Sequence, residues 1–321
     1  MNNEELYDLI IIGAAAVGTA ASVYASRRHL HFKIVSKDIG GEVALSGEVE
    51  NWPGIIKTTG IELSAQFHEH MKYYNVPIDD GHEVTSITKD GNVHVVTAKS
   101  STGEEKIYRT KSVIIGSGVH PRNLKVPGEE ERRGKGITYC TTCDGPLFGG
   151  KTTATIGAGN SAVESALMMA GIAKKVYVIT RYSDDEENKG GFPPAEEILV
   201  KKLKELDNVE IIYNADTKEI LGDGMVSGIK YLDTASNEEK ELDVQGVMVH
   251  IGVIPNSTFV DCVDKDPAGQ IVIDKLCKTS RDGIFAAGDV TDIPYNQIAI
   301  AAGHGVTAAL SAIDYINKWE A

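Results

Sequence analysis

The chain of 321 residues is 42% hydrophobic and 24% charged, and it carries a formal net charge of −14. This length allows two domains, each with its own core, and the composition is that of an ordinary globular protein. The acidic balance repels phosphate backbones and anionic lipid headgroups, so nucleic acids and membrane surfaces are disfavoured as partners.

The amino terminus is acidic, where a signal peptide would be basic. The uncharged stretch Leu9–Ser26 is just long enough to raise the question of a transmembrane helix, but it contains Gly13 and Gly18 and begins like a strand. We therefore expect no membrane span and a location in the reducing cytoplasm. In that compartment a close cysteine pair favours redox or metal chemistry over a structural disulfide.

Two segments share the order strand, glycine turn, helix, strand. The first comprises the strand Leu9–Ile12, a helix to about Arg28 and the strand Phe32–Val35, and the second comprises the strand Thr153–Ile156, a helix to about Ala173 and the strand Lys175–Thr180. This alternation predicts parallel sheets with crossover helices. The expected fold class is α/β, with two Rossmann-like, three-layer nucleotide-binding domains, one inserted in the other.

Two further strands end in glycine and proline and predict where the chain passes between the domains. They are Val113–Gly118, followed by Pro121, and Gly246–Ile251, followed by Gly252 and Pro255. We expect a discontinuous domain made of residues 1–117 and 250–321, and a central domain made of residues 118–249.

The first glycine turn reads Gly13-Ala14-Ala15-Ala16-Val17-Gly18. In the dinucleotide-binding fingerprint the middle glycine lets the backbone approach a pyrophosphate at the helix N-terminus, and here that position is Ala15. The next strand ends at Ser36, followed by Lys37-Asp38, and offers no clear ribose-binding acid. The match is partial, and a tight strand–helix turn without a ligand is the alternative.

The second glycine turn reads Gly157-Ala158-Gly159-Asn160-Ser161-Ala162 and fits the G-x-G-x-x-A form fully. A predicted strand precedes it and a predicted helix follows it, as the motif requires. It therefore predicts a dinucleotide-type pocket in the central domain; whether a nucleotide fills that pocket is a separate question.

Cys140 and Cys143 have the two-residue spacing that lets two thiols close a small, reducible ring. The same spacing supplies half of a zinc site, but Cys262 and Cys277 are isolated and no second pair provides the missing ligands. Asp144 is placed to exchange a proton with a leaving thiolate, or else serves as a turn residue before Gly145-Pro146. We predict a redox pair and no metal site.

Near the carboxyl end, Ala286-Ala287-Gly288-Asp289-Val290 follows a short apolar strand. A carboxylate at a strand end beside a glycine suits a sugar or ribityl hydroxyl. A helix predicted from about Gln297-Ile298 to Trp319 comes next, and its N-terminus suits the negative charge of a reduced flavin. An ordinary strand–turn–helix is the alternative.

Taken together, these residues resemble the low-molecular-weight thioredoxin reductases over essentially the whole chain. The matching segments occur in the family's order and are Gly13–Gly18, Gly40-Gly41-Glu42, Glu48–Gly54, Gly116-Ser117-Gly118, Cys140–Gly145, Gly157–Glu164, Gly252 with Pro255-Asn256, Ala287–Val290 and Asn296-Gln297. Glu50-Asn51-Trp52-Pro53-Gly54 and a C-x-x-C-Asp-Gly segment between two nucleotide folds are specific in combination.

The resemblance implies FAD in the domain made of the two chain ends, with Cys143 facing the flavin, Cys140 attacking a protein disulfide and Asp144 acting as acid–base. It also implies a rotating central domain, a thioredoxin-like partner and a homodimer. The residues implied for FAD are Gly13, Ala14, Ala15, Gly18, Ser36, Gly41, Glu42, Asn51, Gly116, Gly118, Gly288, Asp289, Asn296, Gln297 and Ile298. Those implied for the second nucleotide are Gly157, Gly159, Asn160, Ser161 and Arg181.

The sequence departs from the family where the 2′-phosphate of NADPH would bind. The family has His-Arg-Arg at the end of the strand after the second glycine turn, with a further Arg beyond; here only Arg181 matches and the acids Asp184–Glu187 follow. A 2′-phosphate would meet repulsion there instead of guanidinium donors. On the flavin side, Ala15, Glu42 and Asn296 replace a usual Gly, Gln and Arg.

We therefore expect FAD with a donor other than NADPH: ferredoxin, a second flavin in the central pocket, or NADH. An ordinary NADPH-dependent thioredoxin reductase is one alternative. A dithiol oxidase that forms disulfides in a small metabolite and passes electrons to oxygen is another, and a non-catalytic flavin-binding sensor is a third.

Overall fold

The computed structural model describes residues 5–320, which form two compact units. Within that range the first unit comprises residues 5–46, 50–120 and 254–320, and the second comprises Gly47–Val49 and Pro121–Val253. The chain therefore changes unit after His120 and after Val253, a few residues beyond the positions expected from the sequence. Gly47–Val49, expected in the first domain, groups with the second unit because the strand Glu48–Val49 packs against the helix Thr141–Asp144.

The strands are, in chain order, β1 Leu6–Ala14, β2 Phe32–Ile39, β3 Glu48–Val49, β4 Thr58–Thr59, β5 Ile78–Asp79, β6 His82–Asp90, β7 Val93–Ser100, β8 Glu105–Ile115, β9 Val119–Pro121, β10 Ile137–Thr138, β11 Thr152–Ile156, β12 Lys175–Ile179, β13 Val209–Ile212, β14 Ala215–Leu221, β15 Gly228–Asp233, β16 Glu238–Asp243, β17 Gly246–Val249, β18 Val253–Pro255 and β19 Ile284–Ala286.

The α-helices are, in chain order, α1 Ala16–Arg27, α2 Gly41–Leu45, α3 Gly60–Tyr73, α4 Thr141–Asp144, α5 Asn160–Ala170, α6 Glu197–Lys204 and α7 Ile298–Ile316. Short 3-10 helices cover Glu130–Arg132, Gly145–Phe148 and Gly288–Val290.

The first unit is built on a sheet in the order β5-β2-β1-β8-β7-β6, with β19 also paired to β8. Strand β1 is buried on both faces, as its apolar run requires in a parallel sheet. Leu9 and Ile11 face a core shared with α1 and α7, while Ile10 and Ile12 face a core shared with β6, β7 and β8. Successive side chains point to opposite faces, so one short strand organises both layers.

The second unit is built on a parallel sheet in the order β10-β17-β11-β12-β13. Helices α5 and α6 cover one face, with Val163, Met169 and Leu203 in the core. The antiparallel strands β14, β15 and β16 cover the other, where Ile220 and Ile229 are fully buried. All five sheet strands are parallel, so the glycine turn after β11 and the residues after β12 and β17 lie at one sheet edge.

The predicted α/β class with two Rossmann-like nucleotide folds is confirmed. The helix expected to reach about Ala173 ends at Ala170, with Gly171 as its C-cap, and the strand expected to reach Ile251 ends at Val249. The antiparallel strands β6–β7 and β14–β16 were not predicted, because their alternating pattern is weaker than the apolar runs of the parallel strands.

The stretch Leu9–Ser26 is divided between β1 and α1, so it is not a transmembrane helix. Within residues 5–320, α7 is the one helix that is long and apolar enough to cross a membrane, with a mean hydropathy of 1.2. Its small residues, among them Ala301, Gly305 and Ala308, are buried, and α7 packs against α1. A core helix of a globular unit passes the same test, so this finding is weak support for a membrane span.

Candidate redox and nucleotide sites

The first glycine turn joins β1 to α1 through tight backbone contacts. Gly13 has a φ of +102°, and a Cβ there would lie 2.4 Å from the Gly116 carbonyl oxygen; a Cβ on Gly18 would lie 2.0 Å from the Gly13 carbonyl oxygen. Ala15 is the N-cap of α1 with a φ of −103°, and no side chain caps the helix. The N–H groups of its first turn are therefore directed at the place where a pyrophosphate would lie.

Ser36 and Gly41 lie beside this turn. The Ala14 N–H donates to Ser36 Oγ at 3.1 Å, and the Gly41 N–H donates to Asp38 Oδ1 at 3.0 Å. A Cβ on Gly41 would lie 3.5 Å from the Ala15 Cβ. The residues expected to follow the second strand of a nucleotide fold are thus gathered at the mouth of the turn.

Asp289 is the most perturbed carboxyl group of the first unit. Burial, and secondly the negative charge of Glu42, raise the pKa of Asp289 to about 6. Its Oδ1 is buried and has no hydrogen-bond partner among residues 5–320. A buried carboxylate oxygen without a partner is costly, and a ligand hydroxyl would satisfy it.

The other residues implied for FAD in this unit occupy less constrained positions. Asn51 Nδ2 donates to Gln297 Oε1 at 3.1 Å, and Gln297 is the N-cap of α7, which begins at Ile298. The Asn296 carbonyl accepts from Gln297 Nε2 at 2.7 Å. The Gly118 carbonyl accepts the Asn256 N–H at 3.0 Å.

These observations fit a dinucleotide with sugar hydroxyls. The turn Gly13–Gly18 packs so closely that Cβ atoms on Gly13 and Gly18 would collide with backbone carbonyls, and Asp289 presents an unsatisfied acceptor. FAD carries both a pyrophosphate and a ribityl chain, so the residues present fit this cofactor. Gly13, Gly18 and Gly116 would hold the pyrophosphate side, and Asp289 would hold hydroxyls.

The second glycine turn borders a cavity of about 560 Å³. Gly157 has a φ of +145°, and a Cβ there would lie 2.2 Å from the His250 carbonyl oxygen. Asn160 exchanges two hydrogen bonds with Glu196, which follows the loop on the far side of the turn. All the residues implied for the second nucleotide line this cavity: Gly157, Gly159, Asn160, Ser161 and Arg181.

Cys140 and Cys143 form a disulfide across the first turn of α4. Cys140 is the N-cap, and its carbonyl accepts the N–H groups of Cys143 at 3.1 Å and of Asp144 at 3.0 Å. Both cysteines are half-buried, and Thr142 between them is exposed. The pair is therefore held by the backbone and remains accessible at one side.

Thr138 joins the redox pair to the predicted acid–base residue. Its hydroxyl oxygen accepts the Cys140 N–H at 3.1 Å, and the hydroxyl donates to Asp144 Oδ2. Asp144 Oδ1 is buried without a partner among residues 5–320. Burial raises the pKa of Asp144, and the hydrogen bond from Thr138 opposes this in part. Asp144 therefore keeps its proton to a higher pH than an exposed aspartate.

Sequence reasoning missed Thr138 and His250. His250 follows β17, lines the cavity, and places its Nε2 2.7 Å from the hydroxyl oxygen of Thr141, the residue after Cys140. No motif marks a lone histidine after a strand. The available signal was its position at the end of a parallel strand, where such folds place ligand-binding residues.

Arg181 lies two residues after β12 and lines the cavity, and its guanidinium lies 5.9 Å from the centre of the Tyr182 ring. The acids that follow form an ordered turn: Asp184 pairs with Lys204 at 2.8 Å, and Asp185 accepts the Asn188 N–H at 2.7 Å. Residues 184–187 are all exposed. The rim beyond Arg181 is therefore predominantly negative.

The remaining cysteines take no part in these sites. Cys262 is half-buried and Cys277 is buried, both as free thiols, and burial raises the pKa of Cys277 to about 11. No group of three or more His, Cys, Asp or Glu side chains that could hold a metal ion occurs in the described range 5–320.

Comparison with known proteins agrees with this geometry. The family model for pyridine nucleotide-disulphide oxidoreductases matches residues 7–305. A Bacillus subtilis protein named NADH dehydrogenase is 38% identical over 98% of this chain and 60% of its own length. The crystal structure of thioredoxin reductase from Streptococcus pyogenes is 32% identical, with a TM-score of 0.89 over 98% of this chain and 99% of that one. A ferredoxin-flavin thioredoxin reductase from Clostridium acetobutylicum is 30% identical, with a TM-score of 0.52 over 98% of both chains.

The chain belongs to the pyridine nucleotide-disulphide oxidoreductase family. It contains the Cys140–Cys143 disulfide and is similar in structure to thioredoxin reductase. The chain spans about 60% of the length of the curated relatives it matches.

Proposed function

We propose that this enzyme passes two electrons from NADH, through FAD and the Cys140–Cys143 pair, to the disulfide of a small thioredoxin-like protein. The observation that carries the choice of donor is the cavity of the second unit, where a complete glycine turn is combined with an acidic rim after Arg181. The similarity to a relative named NADH dehydrogenase supports the same donor.

Charge at the rim favours NADH over NADPH. A 2′-phosphate adds about two negative charges and is normally held by guanidinium groups that bind it bidentately. Here Arg181 is followed by Asp184 to Glu187, and Lys204 is already paired with Asp184. A ribose 2′-hydroxyl meets no such repulsion, so the pocket is retained while preference for the phosphate is lost.

Cys140 and Cys143 exchange electrons with the partner through thiol–disulfide chemistry. The Cys140 thiolate attacks one sulfur of the partner disulfide and forms a mixed disulfide, and the other partner sulfur leaves as a thiolate. Cys143, the sulfur that is reduced by way of the flavin, then attacks Cys140, reforms the internal bond and releases the second partner thiolate. The partner gains two electrons and this pair loses two.

Asp144 supplies a proton to a departing thiolate. Burial raises the pKa of Asp144, so its carboxyl keeps a proton to a higher pH than an exposed aspartate, and its buried Oδ1 has no hydrogen-bond partner among residues 5–320. Thr138 holds the other oxygen beside the Cys140 N–H. FAD supplies the two-electron relay between the nicotinamide and the dithiol when it is bound.

Anaerobic rapid mixing tests the donor. Oxidised, FAD-loaded enzyme is mixed separately with NADH, NADPH and reduced ferredoxin, and flavin absorbance is followed. We expect stoichiometric bleaching by NADH that is at least tenfold faster than by NADPH at equal concentration. Faster bleaching by NADPH, or bleaching by ferredoxin alone, would contradict the proposed donor. A flavin-to-protein ratio near two would place a second flavin in the cavity instead.

A charge reversal at the rim tests the reason for that preference. Glu186→Arg/Glu187→Arg should lower KM for NADPH by about tenfold and change KM for NADH little, because one good guanidinium–phosphate contact contributes about 1.5–3 kcal/mol. The matched control is Glu238→Arg/Glu239→Arg, the same charge change on exposed residues of β16. An equal effect of both pairs would assign the gain to overall charge.

Steady-state reduction of thioredoxin with NADH tests the acceptor. Turnover with thioredoxin supports the proposal, whereas oxygen consumption with a small dithiol and no thioredoxin turnover would favour the dithiol oxidase. The homodimer and the cytoplasmic location stay predictions.

A further inference from the structure

His250 lies at the junction between the cavity and the redox-active helix. Its N–H donates to the Ile156 carbonyl at 2.8 Å, which fixes the residue at the end of β11. Its own carbonyl oxygen would lie 2.2 Å from a Cβ on Gly157. The backbone of His250 therefore packs directly against the glycine turn. His250 also lines the cavity.

The side chain of His250 is directed into a chain of buried hydroxyl groups. His250 Nε2 lies 2.7 Å from Thr141 Oγ1, which in turn lies 2.6 Å from Ser165 Oγ. Thr141 and Ser165 are each 4% exposed, so water does not replace these contacts. Thr141 lies within the redox ring, between Cys140 and Cys143, and Ser165 lies on α5, which begins at the glycine turn.

The imidazole of His250 is neutral at physiological pH, because burial lowers its pKa to about 4. A neutral imidazole has one donor and one acceptor nitrogen, so a ligand contact at Nδ1 and the Thr141 contact at Nε2 would be coupled through a single tautomer. In a buried network each hydroxyl proton has few alternative acceptors. A change in the hydrogen bond at one end therefore alters the other hydrogen bonds of the network.

We propose that His250 is a positioning residue that couples occupancy of the cavity to the redox state of the Cys140–Cys143 pair. This inference rests on the nucleotide site proposed above and adds a regulatory link to it. In the oxidised protein the disulfide holds Thr141 where its hydroxyl contacts His250. A nucleotide lying against the imidazole fixes the ring, and with it that contact.

Reduction breaks the Cys140–Cys143 disulfide and removes its constraint on the segment between the two cysteines. Two electrons and two protons convert the disulfide to two thiols, whose sulfurs then separate to non-bonded distance. Thr141 lies between them, so the geometry of its contact with His250 changes with the redox state. By linkage, a ligand with different affinities for the two states shifts the equilibrium between them by the same factor.

Binding of ADP-ribose, which carries no nicotinamide, tests this coupling. Calorimetry on the FAD-loaded protein gives Kd for the disulfide form and for the dithiol form made with a phosphine, which supplies the two electrons and is itself oxidised. Flavin absorbance shows that FAD stays oxidised in both samples. Cys140→Ser/Cys143→Ser, which lacks the bond and exchanges no electrons, serves as a second dithiol-like state.

We expect the two Kd values to differ at least fivefold, and the midpoint potential of the pair to shift correspondingly on saturation with ADP-ribose; a tenfold ratio corresponds to about 30 mV for a two-electron couple. His250→Leu should bring the ratio to one. His250→Gln, whose amide nitrogen reaches the position of Nε2, should retain it. Thermal unfolding of both variants separates this effect from a loss of folding.

The outcomes separate the coupling from the proposed function. Equal Kd values in the unmodified protein, or an unchanged ratio in His250→Leu, would overturn the coupling while bleaching by NADH leaves the function standing. No binding of ADP-ribose to either state would overturn the coupling and the nucleotide site together.

Discussion

The two glycine turns use the same backbone construction but are surrounded by different chemistry. Gly13 and Gly157 both have positive φ, and a Cβ on either would lie within 2.4 Å of a carbonyl oxygen, that of Gly116 or His250. Beside the first turn lies the unsatisfied carboxyl of Asp289; beside the second lies a neutral histidine joined to the redox helix. The turn determines how closely a phosphate can approach, and distant parts of the chain determine which ligand is held.

The comparison also explains Ala15. The middle position of the turn needs no left-handed backbone, since Ala15 has a φ of −103° and the equivalent Gly159 has a φ of −89°. The methyl group of Ala15 lies 3.5 Å from the position that a Cβ on Gly41 would take. The two turns therefore have a similar φ at this position, and the effect of Ala15 on pyrophosphate binding stays a prediction.

The largest effect is expected from a substitution in the redox pair of the second unit, which leaves both glycine turns unchanged. Cys143→Ser should abolish steady-state reduction of a protein disulfide, because no thiolate remains to resolve the mixed disulfide. Flavin bleaching by NADH should persist, because neither glycine turn is altered. The measurement pairs thioredoxin turnover with anaerobic flavin absorbance. Retained turnover would show that electrons bypass this pair.

Replacing the first glycine of each turn by alanine should abolish ligand binding at that turn and leave the other site intact. Gly13→Ala and Gly157→Ala each place a methyl group on a carbonyl oxygen in a left-handed backbone, at an expected loss of roughly 2–4 kcal/mol in the free energy of unfolding. Gly13→Ala should lose FAD, whereas Gly157→Ala should retain FAD and lose ADP-ribose binding. Gly81→Ala, with φ +71° and open space around it, is the control for backbone strain alone. Loss of FAD from both variants would refute independent sites.

Asp289→Asn tests the carboxyl that distinguishes the first site. The folded pKa of Asp289 is about 6 against an ordinary value of 3.8, so the folded chain binds more protons between these values. The stability of cofactor-free protein should therefore fall as pH rises from 4 to 6, by up to roughly 3 kcal/mol for this group. Asp289→Asn should therefore have a higher free energy of unfolding than the unmodified protein at pH 7.5. At pH 4 the two proteins should be equally stable.

In the same variant FAD should bind more weakly, because an amide is a poorer acceptor than a carboxylate for ligand hydroxyls. Urea unfolding at the two pH values and a flavin-release titration measure these effects. An unchanged affinity for FAD would remove Asp289 from the cofactor site.

Ala15→Gly is expected to have the smallest effect. Removing the methyl group makes the first turn match the fingerprint, but the N-cap backbone is already accommodated, so affinity for FAD should change less than threefold. The free energy of unfolding should change by less than about 1 kcal/mol, since glycine is tolerated at an N-cap. A large gain in affinity would show that the Ala15 methyl group obstructs the pyrophosphate.

Much of the fold followed from local patterns. The apolar run of β1, the glycine turns and the helices after them were predicted, because burial on both faces of a parallel strand leaves a clear signal. The antiparallel strands β6–β7 and β14–β16 were not, because their half-buried pattern depends on which face another layer covers. The boundaries of the two units also differed from expectation by a few residues.

The sequence by itself determined the redox motif Cys140–Asp144, the two dinucleotide-type turns and the acidic rim after Arg181, since each depends on residue types at short spacing. Only the tertiary structure decided that Asp289 lies buried near Glu42, that Thr138 joins Cys140 to Asp144, and that His250 contacts Thr141. These contacts join segments that are remote along the chain or lack any motif. They depend on how the chain packs within each of the two units, and no local pattern encodes that packing.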